Sequence, residues 1–122
     1  MPVIVIKDIE QAIPLAEALA EAGLTVLEIT LRTACALDAI SSLRTRFPEL
    51  LIGAGTLRQI SQVSAVVDAG AQFAVSPGYD PDLGETCRKH SLDLLPGIAS
   101  ASELMRANRD GFYFVKIGRA HV

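Results

Sequence analysis

Short apolar runs alternate with longer amphipathic stretches along the whole chain. The runs are rich in β-branched, leucine and aromatic side chains, which predicts six strands. These strands are Val3–Ile6, Thr25–Leu31, Leu50–Ile52, Phe73–Ser76, Leu92–Leu95 and Phe112–Ile117. The stretches between them have helical periodicity and predict five helices. These helices are Asp8–Ala22, Ala34–Phe47, Ile60–Ala69, Pro81–His90 and Ala101–Asn108.

Signals for the ends of helices fall between the predicted elements. Asp8 is predicted to cap the first helix and Ser61 to help start the third, and Pro81 suits a first turn because its missing N–H costs nothing there. A glycine follows three of the helices, at Gly23, Gly70 and Gly111. The repeated unit predicts a βα architecture with a parallel sheet. Two arrangements remain open, a doubly wound sheet and a part of a (β/α)₈ barrel.

Polar residues within the second predicted strand favour the barrel. The alternation of a strand places Glu28, Thr30 and Arg32 on one face and apolar residues on the other. A doubly wound sheet would bury this polar face against helices, which is costly for an ionised carboxylate. In a barrel the same face points into the interior near the mouth, where barrel enzymes carry their catalytic groups.

The other predicted strands end in glycine, proline or a charged residue. These ends are Gly53-Ala54-Gly55-Thr56, Ser76-Pro77-Gly78, Pro96-Gly97 and Lys116. Because the strands are predicted to be parallel, all of these ends converge on one mouth. The glycines allow a ligand to approach the backbone closely, but the pattern lacks the full dinucleotide or P-loop motif. The sequence therefore predicts no nucleotide site.

Lys116 closes an apolar run and suggests a chemistry. An ammonium at the end of a buried strand is costly to keep charged, and a neutral amine is a nucleophile for carbonyl carbons. Lys116 is therefore a candidate for Schiff-base formation. The alternative is that its flexible stem simply carries the ammonium to solvent.

Composition narrows the class of protein. Half of the residues are hydrophobic and 20% are charged, which fits one globular domain. The net charge of -3 and the lack of a basic cluster argue against a nucleic-acid or membrane surface and favour a small-molecule partner. The run Val3–Ile6 meets Lys7 too early for a signal or membrane segment, so we expect a cytoplasmic protein. Cys35 and Cys87 have no metal-ligand spacing, and we expect both reduced, with no structural metal.

Five motifs stand in order along the chain: Pro2–Ile6, Leu27–Thr33, Ile52–Thr56, Phe73–Gly78 and Leu95–Ile98. Together they resemble the 2-keto-3-deoxy-6-phosphogluconate (KDPG) and 4-hydroxy-2-oxoglutarate (KHG) aldolases, and the resemblance runs from Pro2 to Lys116. It implies a class I aldolase with a (β/α)₈ barrel, usually a homotrimer, that needs no metal or cofactor. The implied substrates are 2-keto acids, cleaved to pyruvate and glyceraldehyde 3-phosphate or to pyruvate and glyoxylate.

The resemblance also implies roles for individual residues. Lys116 looks like the Schiff-base lysine that carries the substrate, and Glu28 like the proton-transfer residue. Arg32 and Thr56 look like the groups that hold the pyruvyl carboxylate, and Pro77 like a residue lining the pocket. A guanidinium fork suits a carboxylate, and a hydroxyl adds a donor. The structural alternatives are an Arg32–Glu28 pair, a turn capped by Thr56 and a loop shaped by Pro77.

The last residues depart from the family pattern. Family members continue after the lysine with Phe-Pro, further strands and a glycine-rich loop for the substrate phosphate, whereas this chain reads Ile-Gly-Arg-Ala-His-Val. Those six residues match the translation of a sequencing adaptor. We therefore expect a partial barrel domain of about six βα units over residues 1–116 and a non-native tail over residues 117–122.

Two other functions are compatible with the residues. The first is an inactive half-barrel that exists only by assembling with a partner, since unpaired strand edges invite association. The second is a different barrel enzyme in which Lys116 binds an anion and forms no imine. Size-exclusion chromatography tests the first, and borohydride trapping tests the second, because only an imine is reduced to a stable adduct.

Overall fold

The computed structural model describes residues 1–117. Residues 118–122, which belong to the predicted non-native tail, lie outside the described residues. Its strands are β1 (Val3–Ile4), β2 (Val26–Thr30), β3 (Leu51–Gly55), β4 (Phe73–Ser76), β5 (Asp93–Ile98) and β6 (Lys116–Ile117). Its helices are α1 (Ala12–Glu21), α2 (Ala36–Arg46), α3 (Ile60–Asp68), α4 (Pro81–Lys89) and α5 (Ala101–Arg109). None of these helices is long and apolar enough to cross a membrane. The predicted strands and helices are confirmed, with shifted ends.

All six strands form one parallel sheet in the order β1-β2-β3-β4-β5-β6. Each strand lies beside the next one in sequence, and each helix forms a crossover between them. A doubly wound sheet reverses its strand order at a switch point, whereas barrels add strands consecutively. The prediction of a partial (β/α)₈ barrel is therefore confirmed, as a curled half-barrel.

The apolar core lies between the sheet and the helices. On β2, Leu27 and Ile29 are fully buried, and they belong to the same cluster as Ile40 of α2 and Val63 of α3. Burying an aliphatic side chain of this size contributes about 1.5–3 kcal/mol. The opposite face of β2 therefore points away from the helices, into the interior of the half-barrel.

Local signals place most helix ends correctly. Asp8 caps a 3₁₀ turn at Ile9–Gln11 that leads into α1, and Pro81 occupies the first turn of α4. Positive φ angles of 89°, 96° and 95° confirm the glycine stops at Gly23, Gly70 and Gly111. Ser61 lies in the first turn of α3, where its hydroxyl donates to Gln59 Oε1 at 3.4 Å. Gln59 is the N-cap residue of α3, and its backbone N–H donates to Gln62 Oε1 at 3.0 Å.

Several strand ends differ from the prediction, and β1, for example, ends at Ile4 and not at Ile6. Gly53-Ala54-Gly55 lies inside β3, and Pro96-Gly97 lies inside β5, although both were predicted to follow their strands. Glycine is required there by close packing, since a Cβ on Gly97 would lie 2.5 Å from the Pro77 carbonyl oxygen. The predicted strand Phe112–Ile117 shrinks to its last two residues, because Phe112 packs against α4 and does not pair with β5.

Candidate active site

Lys116 and Glu28 meet in the interior of the half-barrel. Lys116 opens β6 opposite Gly97, and Glu28 lies at the middle of β2 opposite Gly53. Lys116 Nζ is 3.7 Å from Glu28 Oε1, which makes an ion pair beyond hydrogen-bonding distance. The Glu28 side chain is 3% exposed and that of Lys116 36%. A buried carboxylate thus faces an amine that solvent and ligands can reach.

Burial decides the electrostatics of Glu28. It raises the pKa of this carboxyl above its usual value of 4.5, and the charges of Lys116 and Arg32 oppose the rise without cancelling it. A carboxyl with a raised pKa exchanges protons nearer to neutral pH than an exposed glutamate does. Glu28 is therefore suited to general acid–base catalysis.

The backbone of β3 makes room for the Glu28 carboxylate. A Cβ on Gly55 would overlap Glu28 Oε2, and a Cβ on Gly53 would overlap the ring of Phe73. Sequence reasoning treated these glycines as a weak motif and gave Gly55 no role. The available signal was their position, because they follow an apolar strand next to one that carries a carboxylate.

Thr56 and Arg32 stand where β3 and β2 end. Thr56 has a φ of 59°, in the left-handed region that β-branched residues avoid. Such a conformation costs on the order of 1–3 kcal/mol and is found mainly at functional sites. Arg32 lies two residues beyond the end of β2 and is exposed. Both side chains line the same cavity as Glu28.

The turn after β4 carries Pro77. Ser76 Oγ donates a hydrogen bond of 2.8 Å to the carbonyl of Gly78 and closes the turn around the proline. Gly97 on β5 lets the Pro77 carbonyl approach closely, as described above. Pro77 is thereby fixed at the edge of the cavity.

The predicted site residues surround one cavity of about 210 Å³. All five line it, namely Glu28, Arg32, Thr56, Pro77 and Lys116. Val3, Val5 and Val75 form its apolar wall. A larger cleft of about 720 Å³ lies beside β5 and residues 111–114, and neither Lys116 nor Glu28 lines it. The structure thus brings the predicted residues together, while their roles stay predictions.

Side chains from the α4 region anchor the segment that leads to Lys116. The Tyr79 hydroxyl donates to Asp110 Oδ2. Arg88 donates to the Asp110 carbonyl at 2.6 Å, and its guanidinium lies 4.8 Å from the centre of the Phe112 ring. Burial and the Asp110 carboxylate raise the pKa of Tyr79 to about 12. No sequence motif marked these contacts, because they join residues distant along the chain.

Known proteins with related sequences are aldolases. The model of the family described as KDPG and KHG aldolase matches residues 1–122. The 2-dehydro-3-deoxy-phosphogluconate aldolase of Pseudoalteromonas atlantica is 48% identical over 116 residues, covering 95% of this chain and 54% of the relative. The KHG/KDPG aldolase of Escherichia coli K12 is 48% identical over 105 residues, covering 86% and 49%. The chain thus spans about half the length of these relatives.

Solved structures show the same fold. The KDPG aldolase of Legionella pneumophila, with pyruvate captured at low pH as a covalent carbinolamine intermediate, superposes with a TM-score of 0.87 at 50% identity. That match covers 91% of this chain and 54% of the other. The aldolase of Zymomonas mobilis ZM4 with 3-phosphoglycerate gives a TM-score of 0.86 at 45% identity, covering 92% and 53%. Sequence and structure agree that this chain belongs to the KDPG and KHG aldolase family.

Proposed function

We propose that this chain is part of a class I aldolase and that Lys116 forms an imine with a 2-keto acid. One observation carries the proposal, the approach of Lys116 Nζ to within 3.7 Å of a buried carboxylate on Glu28. An imine-forming lysine needs a neighbouring acid–base group to move protons during attack and loss of water. The captured pyruvate intermediate of the Legionella relative supports the same chemistry.

The reaction follows from the two side chains. The amine of Lys116 attacks C2 of the keto acid, and the C2 oxygen leaves as water after Glu28 donates a proton. The resulting imine draws the electron pair of the C3–C4 bond toward nitrogen as that bond breaks. Glu28, now ionised, accepts the proton of the C4 hydroxyl, and the aldehyde departs. Protonation at C3 and addition of water then release pyruvate and the free lysine.

The rim of the cavity supports recognition of a keto acid. Arg32 presents a guanidinium fork for the carboxylate, and the Thr56 hydroxyl adds a donor beside it. Pro77 and Val75 give the cavity an apolar side. We propose two substrates, KDPG cleaved to pyruvate and glyceraldehyde 3-phosphate, and KHG cleaved to pyruvate and glyoxylate. The bacterial relatives, a 2-dehydro-3-deoxy-phosphogluconate aldolase and a KHG/KDPG aldolase, support this choice.

Exchange of the pyruvate methyl protons with D₂O, followed by proton NMR, tests the proposal. Exchange requires both an imine and a base, so the wild-type chain should exchange these protons and Lys116→Arg should not. Glu28→Gln should slow the exchange by about 10²–10⁴-fold, the usual contribution of a general acid–base residue. Release of pyruvate from KDPG and from KHG, measured in parallel, shows which aldehyde is accepted.

The arginine variant also separates imine chemistry from simple anion binding. Arginine keeps the positive charge at this position but cannot form an imine with a keto acid. Equal, slow exchange by the wild type and Lys116→Arg, with equal affinity of both for pyruvate, would show that Lys116 only binds the anion.

A further inference from the structure

The Thr30 hydroxyl is the second polar group buried in the interior face of β2. Thr30 is 1% exposed, and its Oγ1 makes no hydrogen bond within residues 1–117. Glu28 Oε1, on the same strand, likewise makes none in that part of the chain. Both residues line the cavity that contains Lys116. Two buried oxygens thus face one cavity without a hydrogen-bond partner among residues 1–117, since Lys116 Nζ pairs with Glu28 Oε1 only at 3.7 Å.

A comparison inside the same cavity shows that this is not a general feature of its wall. Ser76 is equally buried, yet its hydroxyl donates to the Gly78 carbonyl at 2.8 Å. Buried hydroxyls normally make such a hydrogen bond, and burying a hydroxyl without one costs free energy. Valine has nearly the shape of threonine and would avoid that cost. The Thr30 hydroxyl therefore indicates an atom that occupies the cavity during function.

The spacing of the two residues suits one intervening oxygen. Residues two apart on a strand lie on the same face and about 6.6 Å apart along it. That separation is too long for a direct hydrogen bond between short side chains, which needs about 2.5–3.0 Å between oxygens. The longer glutamate side chain reduces the gap. One oxygen between Thr30 Oγ1 and Glu28 Oε1 would satisfy both groups.

We propose that Thr30 is a positioning residue whose hydroxyl, together with Glu28, holds the water or substrate hydroxyl that exchanges a proton with Glu28. This inference rests on the proposed function for the substrate. Thr30 donates to the oxygen, which directs the oxygen's own proton at the carboxylate. When C3–C4 breaks, that proton passes to Glu28, the oxygen becomes the aldehyde carbonyl, and the bonding electron pair moves toward the imine.

The variants Thr30→Val and Thr30→Ser test the hydroxyl at nearly constant shape. The pKa of Glu28, followed by ¹³C NMR of its carboxyl without substrate, reports a bound water. We expect a higher pKa in Thr30→Val, because the ionised carboxylate loses an oriented water, and a wild-type value in Thr30→Ser. Cleavage of KHG reports the substrate hydroxyl. We expect kcat to fall about tenfold in Thr30→Val with KM nearly unchanged, and the serine to restore it.

The outcomes show whether the oxygen held by Thr30 and Glu28 comes from water or from the substrate hydroxyl. A shifted pKa with unchanged kcat assigns the oxygen to water, and the reverse result assigns it to substrate. Unchanged pKa and kcat would overturn the inference. If the wild-type chain cleaves nothing, the proposed function fails, and the NMR titration alone then decides whether Thr30 and Glu28 share an oxygen. Urea denaturation is the control for folding, since Thr30→Val should be at least as stable as the wild type.

Discussion

The buried carboxyl of Glu28 is needed for the proposed chemistry, but its ionised form lowers the stability of the fold. This carboxyl is buried beside apolar side chains and has a raised pKa, so the fold favours the protonated form. The sequence predicted this residue because Glu28 is a lone carboxylate on the polar face of an otherwise apolar strand. A carboxylate kept in such a place destabilises the ionised protein, which is a common property of catalytic groups.

The pH dependence of stability follows from Glu28. Below the unfolded pKa of about 4.5, both states are protonated, and the favourable contribution of the neutral form is complete. As the pH rises through the folded pKa, that contribution is lost. Glu28→Gln cannot ionise, so we expect the free energy of unfolding of this variant, relative to the wild type, to be higher at pH 8 than at pH 4. Urea denaturation at both values measures it, and a constant difference would contradict the account.

Gly55 controls the position of the same carboxylate. In Gly55→Ala the new methyl group would overlap Glu28 Oε2 and push the carboxylate away from Lys116. We expect pyruvate exchange to fall about tenfold or more, since small displacements of catalytic groups are costly. Gly78→Ala is the matched control, because nothing lies within 4 Å of its Cβ. Equal rates for both variants would show that Gly55 does not position Glu28.

Single residues were predictable only where their chemistry contrasts with their neighbours. Glu28 and Lys116 are charges beside apolar residues, and both were found from the sequence. Gly55 and Thr30 were not assigned roles, because the first acts by a contact between two strands and the second by lacking a contact. Both properties depend on how β2 lies beside β3, where Thr30 pairs with Gly55, and the sequence does not show this arrangement.

At the scale of elements, α4 and the turn before it hold the segment that ends in Lys116. Tyr79 donates to Asp110, and Arg88 holds both the Asp110 carbonyl and the Phe112 ring. Residues 112–115 consequently follow α4 instead of pairing with β5. The strand predicted there failed for this reason, since aromatic residues suit both a strand and packing against a helix.

Tyr79→Phe tests this anchor. We expect the variant to be less stable than the wild type at pH 8, because the Asp110 carboxylate loses the hydrogen bond from the Tyr79 hydroxyl. The pKa of Tyr79 is raised from 10.0 to about 12, so its stabilising effect is complete below pH 10 and is lost as the pH approaches 12. The difference between the variant and the wild type should therefore shrink between pH 8 and pH 11. A difference in unfolding free energy that does not change with pH would exclude this hydrogen bond as its source.

At the scale of the whole molecule, the polar row on β2 predicted a barrel correctly. Strand order then confirmed it, because neighbouring strands are consecutive in sequence. The lengths of β3 and β5 could not be predicted from the sequence. Their glycines lie inside the strands because Phe73 and Pro77 pack closely against them, and such packing is not visible in the sequence. The sequence thus predicted which residues share one face of a strand. It did not predict which residues contact each other between neighbouring strands.

Large apolar side chains are exposed beside both outer strands. Val3 and Val5 are 52% and 44% exposed near β1, and Phe114 is 81% exposed before β6. Within residues 1–117, β1 pairs only with β2, and β6 only with β5. Exposed edges and apolar side chains favour association. We therefore expect a molar mass that rises with concentration in light scattering after size exclusion.

A charge at the β6 edge should reduce this association. Phe114→Lys adds a charge where the side chain is exposed, and edge lysines discourage strand pairing. Met105→Lys is the control, because Met105 is 64% exposed and lies on a helix, α5, and not on a strand edge. Equal molar masses for the two variants would contradict association through the edge.

The most direct test of the proposed chemistry is mass spectrometry of the chain after incubation with pyruvate and borohydride. We expect a stable adduct on the peptide containing Lys116, and its loss in Lys116→Arg. Glu28→Gln should form the adduct more slowly, because carbinolamine dehydration would lose its acid. A folded wild-type chain that gives no adduct, or an adduct on another lysine, would contradict the central claim that Lys116 and Glu28 form an imine-generating pair.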